Sequence, residues 1–326
     1  MGTNAIKFGI SFFSLSKEFH SKKYSLEQCM SKAAELGFEG IEVVAAQMVR
    51  GYPWPRDLWV EKLKELMIKY KLEPVCYSAY IDMGLRMDRD LNEEEIIQFT
   101  VNDMKYASRL GFPYVRTQHA ISPAILEKMI PYAKEYGIWL GVELHRPHRM
   151  STPVWQEYMN LFERKGSEYI GVVPDMGVFQ SRPHILYLNM MVKSGARQEV
   201  VDTFNQFFCQ GVPVEDAIKK TGNLTELEKT LVRDMYNTFD PAPIEDLKLM
   251  IPHSKYMHGK FYYIGDDLKD NCIPYDKILP YIKENGFNGY IATEYEGHLL
   301  DDEDMVDATE QIMRHVKMEH KILGYD

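Results

Sequence analysis

The sequence lacks the features that define several specialised classes of protein. It has no run of about eighteen apolar residues, which excludes a membrane-spanning helix. Residues 1–16 do not combine a basic start with a long apolar stretch, so they do not resemble a secretory signal. The four cysteines are scattered and no two have CxxC spacing, which indicates reduced, mostly buried thiols and a cytoplasmic location.

Positive charge is also scarce, since 38 basic side chains face 48 acidic ones and the formal net charge is −10. This balance disfavours binding to a phosphate backbone, and we expect no nucleic-acid partner. Hydrophobic residues make up 45% and charged residues 26%, as in an ordinary globular enzyme. A length of 326 residues predicts one large α/β domain over residues 1–326.

A repeated helix-to-strand joint runs through the chain. In each copy an amphipathic stretch ends at a glycine, followed by an apolar residue and a short strand-like segment. The glycine predicts a left-handed helix end, after which the chain turns back onto the sheet. The four joints are centred on Gly37, Gly111, Gly137 and Gly286.

Eight strand-like segments alternate with helical patterns. They are residues 7–13, 40–45, 73–79, 114–119, 138–144, 169–173, 256–263 and 290–295. Most are apolar throughout, as in parallel strands covered on both faces, and no GxGxxG follows the first one. The pattern therefore predicts a closed (β/α)8 TIM barrel instead of an open doubly wound sheet.

The connection between the sixth and seventh strands is roughly seventy residues long, far beyond an ordinary crossover. We predict a helical insertion over residues 180–252, with helices at 198–208, 214–220, 225–235 and 244–249. The insertion can be ornamental, or can serve as a lid or a partner-docking surface on the catalytic face.

Four consecutive strands each deliver an acidic or imidazole side chain to the carboxyl-terminal rim of the predicted barrel. These side chains are Glu143, Asp175, His258 and Glu294. Charges inside otherwise apolar strands are costly unless compensated, and a divalent cation is the simplest compensation. Three oxygen ligands and one nitrogen favour Mn²⁺ or a related six-coordinate ion over structural zinc.

Other rim residues are candidates for chemistry and substrate contacts. His145 follows Glu143 by two, which places both on one face of a strand. We expect His145 to act as a general base or to form a hydrogen bond that supports the metal ligands. Arg116 is expected to form a buried ion pair. The candidate substrate-binding residues are Lys260, Gln118, His119, Tyr77 and Glu296.

The segments Glu143-Leu144-His145, Pro174-Asp175, His258-Gly259-Lys260 and Thr293-Glu294-Tyr295 resemble the sugar phosphate isomerase/epimerase group of xylose-isomerase-like barrels. The resemblance covers nearly the whole chain except the insertion, and it implies metal binding by Glu143, Asp175, His258 and Glu294. Val178 stands where sugar epimerases of the group often have histidine. These epimerases also use two glutamates as acid and base, and in this sequence Glu296 or Glu42 would have to take the place of one of them. These departures disfavour ordinary epimerisation.

More narrowly, Glu143-Leu144-His145-Arg146-Pro147, His258-Gly259-Lys260-Phe261-Tyr262 and the insertion resemble the alpha subunits of bacterial C-glycoside deglycosidases. This resemblance implies cleavage of the carbon–carbon bond between a 3-keto sugar and a flavonoid-type aglycone. It also implies a small beta subunit as partner, a metal that acidifies the C2 proton, and His145 as the base of an elimination.

Three other functions stay open at this point. A metal-dependent sugar or keto-inositol isomerase, epimerase or dehydratase would use the same ligands without an aryl C-glucoside or a partner chain. A non-catalytic sugar-binding or assembly subunit would keep its function when His145 is replaced. An endonuclease of this barrel type would need more histidine and carboxylate ligands and a basic face, which the chain lacks.

Overall fold

The computed structural model describes residues 6–300 and 306–325, so residues 1–5, 301–305 and 326 of the predicted domain lie outside the described residues. Eight parallel strands pair in the order β6-β5-β4-β3-β2-β1-β8-β7. The strands are β1 Lys7–Ser11, β2 Gly40–Val44, β3 Glu73–Ser78, β4 Tyr114–Thr117, β5 Trp139–Leu144, β6 Ile170–Pro174, β7 Tyr256–Phe261 and β8 Tyr290–Tyr295. The two edges, β6 and β7, meet at a parallel bridge between Asp175 and His258. The prediction of a (β/α)8 barrel is confirmed.

Helices follow the strands around the outside of the barrel. They are α1 Ser16–His20, α2 Leu26–Glu35, α3 Ala45–Met48, α4 Asp57–Tyr70, α5 Glu93–Leu110, α6 Pro123–Tyr136, α7 Pro153–Lys165, α8 Ile185–Lys193, α9 Gln198–Cys209, α10 Val214–Thr221, α11 Glu226–Thr238, α12 Asp246–Met250, α13 Tyr275–Glu284 and α14 Ala308–Leu323. Among the described helices, none is both long and apolar enough to cross a bilayer.

The glycines of all four predicted joints have φ between +66° and +88°. At Gly111 and Gly137 the left-handed residue directly ends α5 and α6, and its amide donates to carbonyls of the last turn. A side chain at these angles would strain the backbone, which explains why the sequence repeats glycine there. Several strands end earlier than predicted. Residues 12–15, for example, form a 3-10 helix instead of extending β1.

The segment between β6 and β7 forms five helices, α8 to α12. Helices α9 to α12 fall on the four stretches predicted there, whereas α8 was not predicted. Ten buried side chains between Leu188 and Phe239 form an apolar core that is separate from the main core of the barrel. The segment therefore has packing of its own.

The barrel interior is divided into an apolar layer and a charged layer. Trp139, Tyr256 and Tyr290 lie at the beginnings of their strands and belong to a buried cluster lined by five strands. A Cβ at Gly141 or Gly171 would overlap the Trp139 indole, so these glycines make room for it. The aromatic layer closes the amino-terminal half, and the charged side chains occupy the carboxyl-terminal half, where chemistry occurs in barrels of this kind.

Candidate metal centre

Four predicted ligands meet at the carboxyl-terminal end of the barrel. Glu143 lies in β5, Asp175 directly follows β6, His258 lies in β7 and Glu294 in β8. Each residue contributes one potential ligand atom, and these atoms all lie within 4.8 Å of one another. All four residues are buried. The structure thus brings together side chains that are up to about 150 positions apart in the sequence.

The charges in this layer do not balance. Five ionised carboxylates face two permanent cations and His258. Burial acts to lower the pKa of His258, but the surrounding glutamates raise it, so the excess is two negative charges when His258 is protonated and three when it is neutral. The carboxylates belong to Glu42, Glu143, Asp175, Glu294 and Glu296, and the cations to Arg116 and Lys260. Uncompensated charge is unfavourable at such depth, so the layer favours an additional cation.

Two candidate ligand oxygens have ion-pair contacts but no hydrogen bond of normal geometry. Asp175 Oδ2 and Glu294 Oε2 are buried, and among the described residues they are contacted by Lys260 Nζ at 2.5 Å and by His258 Nδ1 at 3.2 Å, respectively. Burial raises the pKa of Asp175 more than Lys260 lowers it, and the charges on Glu143 and Glu294 raise it further. Three carboxylates and one imidazole form a donor set that suits a divalent ion with open positions. The residues present fit a divalent metal.

Glu42 fixes the orientation of the candidate nitrogen ligand. Its Oε2 lies 2.9 Å from His258 Nε2, while His258 Nδ1 lies 2.7 Å from Glu143 Oε1 and 3.2 Å from Glu294 Oε2. Nδ1 is therefore the nitrogen that faces the ligand cluster. Ser11 and Tyr256 donate hydrogen bonds to Glu42 at 2.6 and 2.9 Å and hold its carboxylate in place. Such a carboxylate–histidine pair sets the tautomer of a metal-binding imidazole.

Both permanent cations are buried among the carboxylates. Arg116 lies 3.1 Å from Glu143 Oε2 and 3.7 Å from Glu42 Oε1, as expected for a buried ion pair. Burial raises the pKa of Glu42, but the charges of His258 and then Arg116 outweigh this effect and lower its pKa to about 2. Glu42 is thus an anion that can accept hydrogen bonds at neutral pH.

Lys260 sits on the opposite side of the cluster. Its Nζ lies 2.5 Å from Asp175 Oδ2, 3.0 Å from Glu296 Oε1 and 3.5 Å from Glu294 Oε2. Burial acts to lower the pKa of Lys260, but these three carboxylates raise it well above the ordinary value. The residue therefore supplies a fixed positive charge beside Asp175, Glu294 and Glu296.

His145 has the hydrogen-bonding pattern of a base. Its Nδ1 lies 2.6 Å from the carbonyl oxygen of Arg146, and because a carbonyl only accepts, Nδ1 carries the hydrogen. In the neutral ring the lone pair is then on Nε2, which is buried and has no hydrogen-bond partner among the described residues. An imidazole in this tautomer can take a proton from a bound molecule.

The predicted substrate-binding residues fall into two groups. Gln118 Nε2 lies 3.5 Å from Glu143 Oε2, Glu296 contacts Lys260, and the ring of His119 lies 6.0 Å from that of His145. These residues surround the site. Tyr77 does not, because its ring is fully buried in the main core with a ring centroid 5.8 Å from that of Phe112. This corrects its prediction as a substrate contact.

Glu42 is the residue whose role sequence reasoning missed. The sequence suggests it only as a replacement acid/base carboxylate, yet Glu42 is 1% exposed and is engaged by His258, Ser11 and Tyr256. A glutamate in the middle of an apolar strand was the available signal, since it needs a buried partner.

A comparison with protein families decides the wider assignment. The model of the xylose isomerase-like TIM barrel family matches residues 30–317. The chain belongs to this family.

Among curated relatives, it is 28% identical over 308 residues to a 3'-dehydrocarminate deglycosidase alpha subunit of Microbacterium sp., covering 89% of this chain and 88% of that one. It is 29% identical over 305 residues to a C-glycoside deglycosidase alpha subunit of Microbacterium trichothecenolyticum, with 89% and 83% covered.

Solved structures of the family share the fold at low sequence identity. A sugar phosphate isomerase/epimerase from Parabacteroides distasonis is 13% identical, with a TM-score of 0.59 and 98% and 96% of the two chains covered. The IOLI protein, solved with a bound zinc atom, is 14% identical, with a TM-score of 0.58 and 98% of each chain covered. These similarities support the architecture alone.

Proposed function

We propose that the chain is the alpha subunit of a C-glycoside deglycosidase. In this role it cleaves the bond between C1 of a 3-keto sugar and an aromatic carbon of a flavonoid-type aglycone. The curated relatives named as alpha subunits of such enzymes support this proposal, because their similarity covers 89% of the chain. The enzyme needs a divalent metal, with Mn²⁺ as the expected ion.

The arrangement that carries the proposal is a buried acidic cluster beside a histidine, His145, whose Nε2 has no hydrogen-bond partner among the described residues. Glu143, Asp175, His258 and Glu294 would hold the ion. When bound, a divalent cation polarises the oxygens of a keto sugar and so makes the neighbouring C–H more acidic. His145 Nε2 has the free lone pair needed to remove that proton.

The proposed reaction is an elimination that needs no added oxidant. His145 removes the proton from C2, the electron pair forms a C1–C2 double bond, and the bond from C1 to the aryl carbon breaks. The aryl carbon takes a proton, assisted by tautomerisation of the adjacent phenol, because an aryl carbanion is a poor leaving group. The products are an anhydro enone sugar and the free aglycone.

Lys260 contributes charge rather than proton transfer in this scheme. Its ammonium group is held between Asp175 and Glu296 at 2.5 and 3.0 Å, which fixes its position before substrate arrives. A fixed cation stabilises negative charge that develops on the keto oxygen when C2 loses its proton. Gln118, His119 and Glu296 lie around the same opening and would bind sugar hydroxyls.

A beta subunit is the expected partner, because the relatives are named as alpha subunits. Val178, which is 2% exposed and follows Asp175 by three residues, provides no acid or base at a position where sugar epimerases of the family often have histidine. This observation disfavours ordinary epimerisation.

The test is to purify the chain together with its candidate partner and to incubate the complex with a 3-keto C-glucoside of a flavone. We expect release of the free aglycone, measured by chromatography, to stop after metal removal with EDTA and to return with Mn²⁺. A simple ketose serves as the second substrate, since an isomerase would convert it.

Two results would count against the proposal. Aglycone release that is insensitive to metal removal would exclude the metal-dependent elimination. No release with the partner present, together with conversion of the ketose, would favour the isomerase.

A further inference from the structure

The helical segment between β6 and β7 and the loop after β5 line an open cavity of about 550 Å³. One wall consists of residues 146–149, which directly follow His145 in the chain. The opposite wall is the last part of α11, and Val178 lies between the two. Arg146 in this lining contacts Gly177, whose amide donates a hydrogen bond to Asp175 Oδ1 at 2.7 Å, so the cavity adjoins the candidate metal centre.

Specific contacts hold the two walls together. Arg146 donates from Nε to the carbonyl oxygen of Gly177 at 2.9 Å, and its other nitrogens donate to the carbonyl oxygens of Thr238 and Gln180. Arg149 forms an ion pair with Asp240 at 2.7 Å. The arginines thus tie the end of α11 to the barrel rim, so the cavity is formed before any ligand binds.

The beginning of the helical segment is fixed beside the same site. His184, which caps α8, stacks on Tyr262 with ring centroids 4.4 Å apart and an interplanar angle of 5°. The hydroxyl group of Tyr262 in turn interacts electrostatically with Glu296 and Lys260. Anchoring at both ends places the segment as a wall of the substrate site.

The size and lining of the cavity define its ligand. A volume of about 550 Å³ falls within the range of sites for small organic molecules. Most of the lining residues are polar. They contribute two guanidinium groups and an imidazole, two carboxylates that accept hydrogen bonds, and an amide and a hydroxyl that can both donate and accept. Arg146 and Arg149 are engaged in holding the walls, which leaves the side chains of His148, Asp234 and Asn237 to face a ligand. Their donors and acceptors suit a flat molecule with several hydroxyl groups.

We propose that this cavity binds the polyphenolic aglycone of the C-glycoside. The inference rests on the proposed function, in which the sugar occupies the metal centre and the aryl carbon must lie next to the proton carrier, His145. A larger cavity beside Leu268 and Ile322 has no lining residue that adjoins His145 among the described residues. The helical segment therefore determines which aglycones are accepted.

The test fills the cavity from the exposed side of α11. Asn237→Trp and Asp234→Trp each place an indole in the lining, and Glu226→Trp, at the exposed first turn of the same helix, is the matched control. The probe is apigenin, a trihydroxyflavone, and its binding to the full chain is measured by equilibrium dialysis. Circular dichroism and bound metal are recorded for every variant.

We expect apigenin to bind the wild type and Glu226→Trp equally and to bind each cavity variant roughly tenfold more weakly or not at all, with the metal content unchanged. If one cavity variant does not fold, the other still gives the measurement. Absence of binding to the wild type, or unchanged binding in a folded cavity variant, would overturn the proposal.

The outcome is separable from that of the proposed function. If the wild type releases aglycone and the cavity variants do so with the same KM and kcat, the cavity assignment fails while the deglycosidase proposal stands. If the wild type releases none with its partner present but the cavity variants lose apigenin binding, the deglycosidase proposal fails and the cavity remains a flavone site.

Discussion

Replacing Glu42 by glutamine tests whether this buried carboxylate prepares His258 for metal binding. The substitution keeps the shape of the side chain but removes the charge that faces His258 Nε2 at 2.9 Å. The glutamine NH₂ group must also point toward either His258 or the hydroxyl groups of Ser11 and Tyr256. Either orientation weakens a hydrogen bond that fixes the ring with Nδ1 toward the ligand cluster.

Changes to carboxylates that orient a metal-binding histidine typically weaken metal affinity by about 10- to 100-fold, or roughly 1.4 to 2.7 kcal/mol. We expect an effect in this range for Glu42→Gln, because Glu42 and His258 are both essentially unexposed and water cannot replace the lost bond. The dissociation constant for Mn²⁺ is measured by competition with a fluorescent chelator.

The matched control is Glu39→Gln, which removes an exposed carboxylate just before β2. It should leave the affinity unchanged, so that a general effect of net charge is excluded. Equal Mn²⁺ affinity in Glu42→Gln and wild type, with both folded, would refute the assignment of Nδ1 as the ligand atom held by Glu42.

Three further predictions follow from the same charged layer and from a second buried acid. Glu143→Gln should reduce bound metal, whereas His145→Ala should keep the metal and abolish turnover; equal metal loss in both, measured by elemental analysis, would contradict the division of roles. Arg116→Met should lower the free energy of unfolding in urea by about 3 to 5 kcal/mol, because it leaves two buried carboxylates without their cation. A loss below about 1 kcal/mol would show that the ion pair contributes little. Burial raises the pKa of Asp103 to about 7, so the folded state holds a proton that the unfolded state releases from about pH 4 upward. Stability should therefore fall as the pH rises through this window, by at most about 4 kcal/mol, and Asp103→Asn should remove that part of the fall. Identical pH dependence of urea unfolding in the variant and wild type would exclude this role.

Much of the barrel follows from local signals. Gly111 and Gly137 mark helix ends because a left-handed backbone favours glycine, and the apolar segments between such joints identify strands buried on both faces. The helix α8 was missed because its sequence, ILYLNMMVK, is apolar nearly all round and shows no amphipathic period. Leu188 and Met191 of α8 are buried in the separate apolar core of the helical segment, which accounts for part of that composition.

The candidate site was predictable only in part. The position of Glu143 near the end of a strand predicts that it lies at the rim, but β3 is largely buried and hydrophobicity does not reveal which of its residues face the interior. A register irregularity between Ile41 and Glu42 further changes how β2 aligns with β3. The outward direction of Tyr77 and the contact of Glu42 with His258 depend on this tertiary alignment.

The most direct measurement of the central claim is the position of a bound ion. Crystals of the protein grown with Mn²⁺ should give one strong anomalous peak in contact with Glu143, Asp175, His258 Nδ1 and Glu294. A peak elsewhere, or none at these four side chains under saturating Mn²⁺, would contradict the metal centre and the chemistry derived from it.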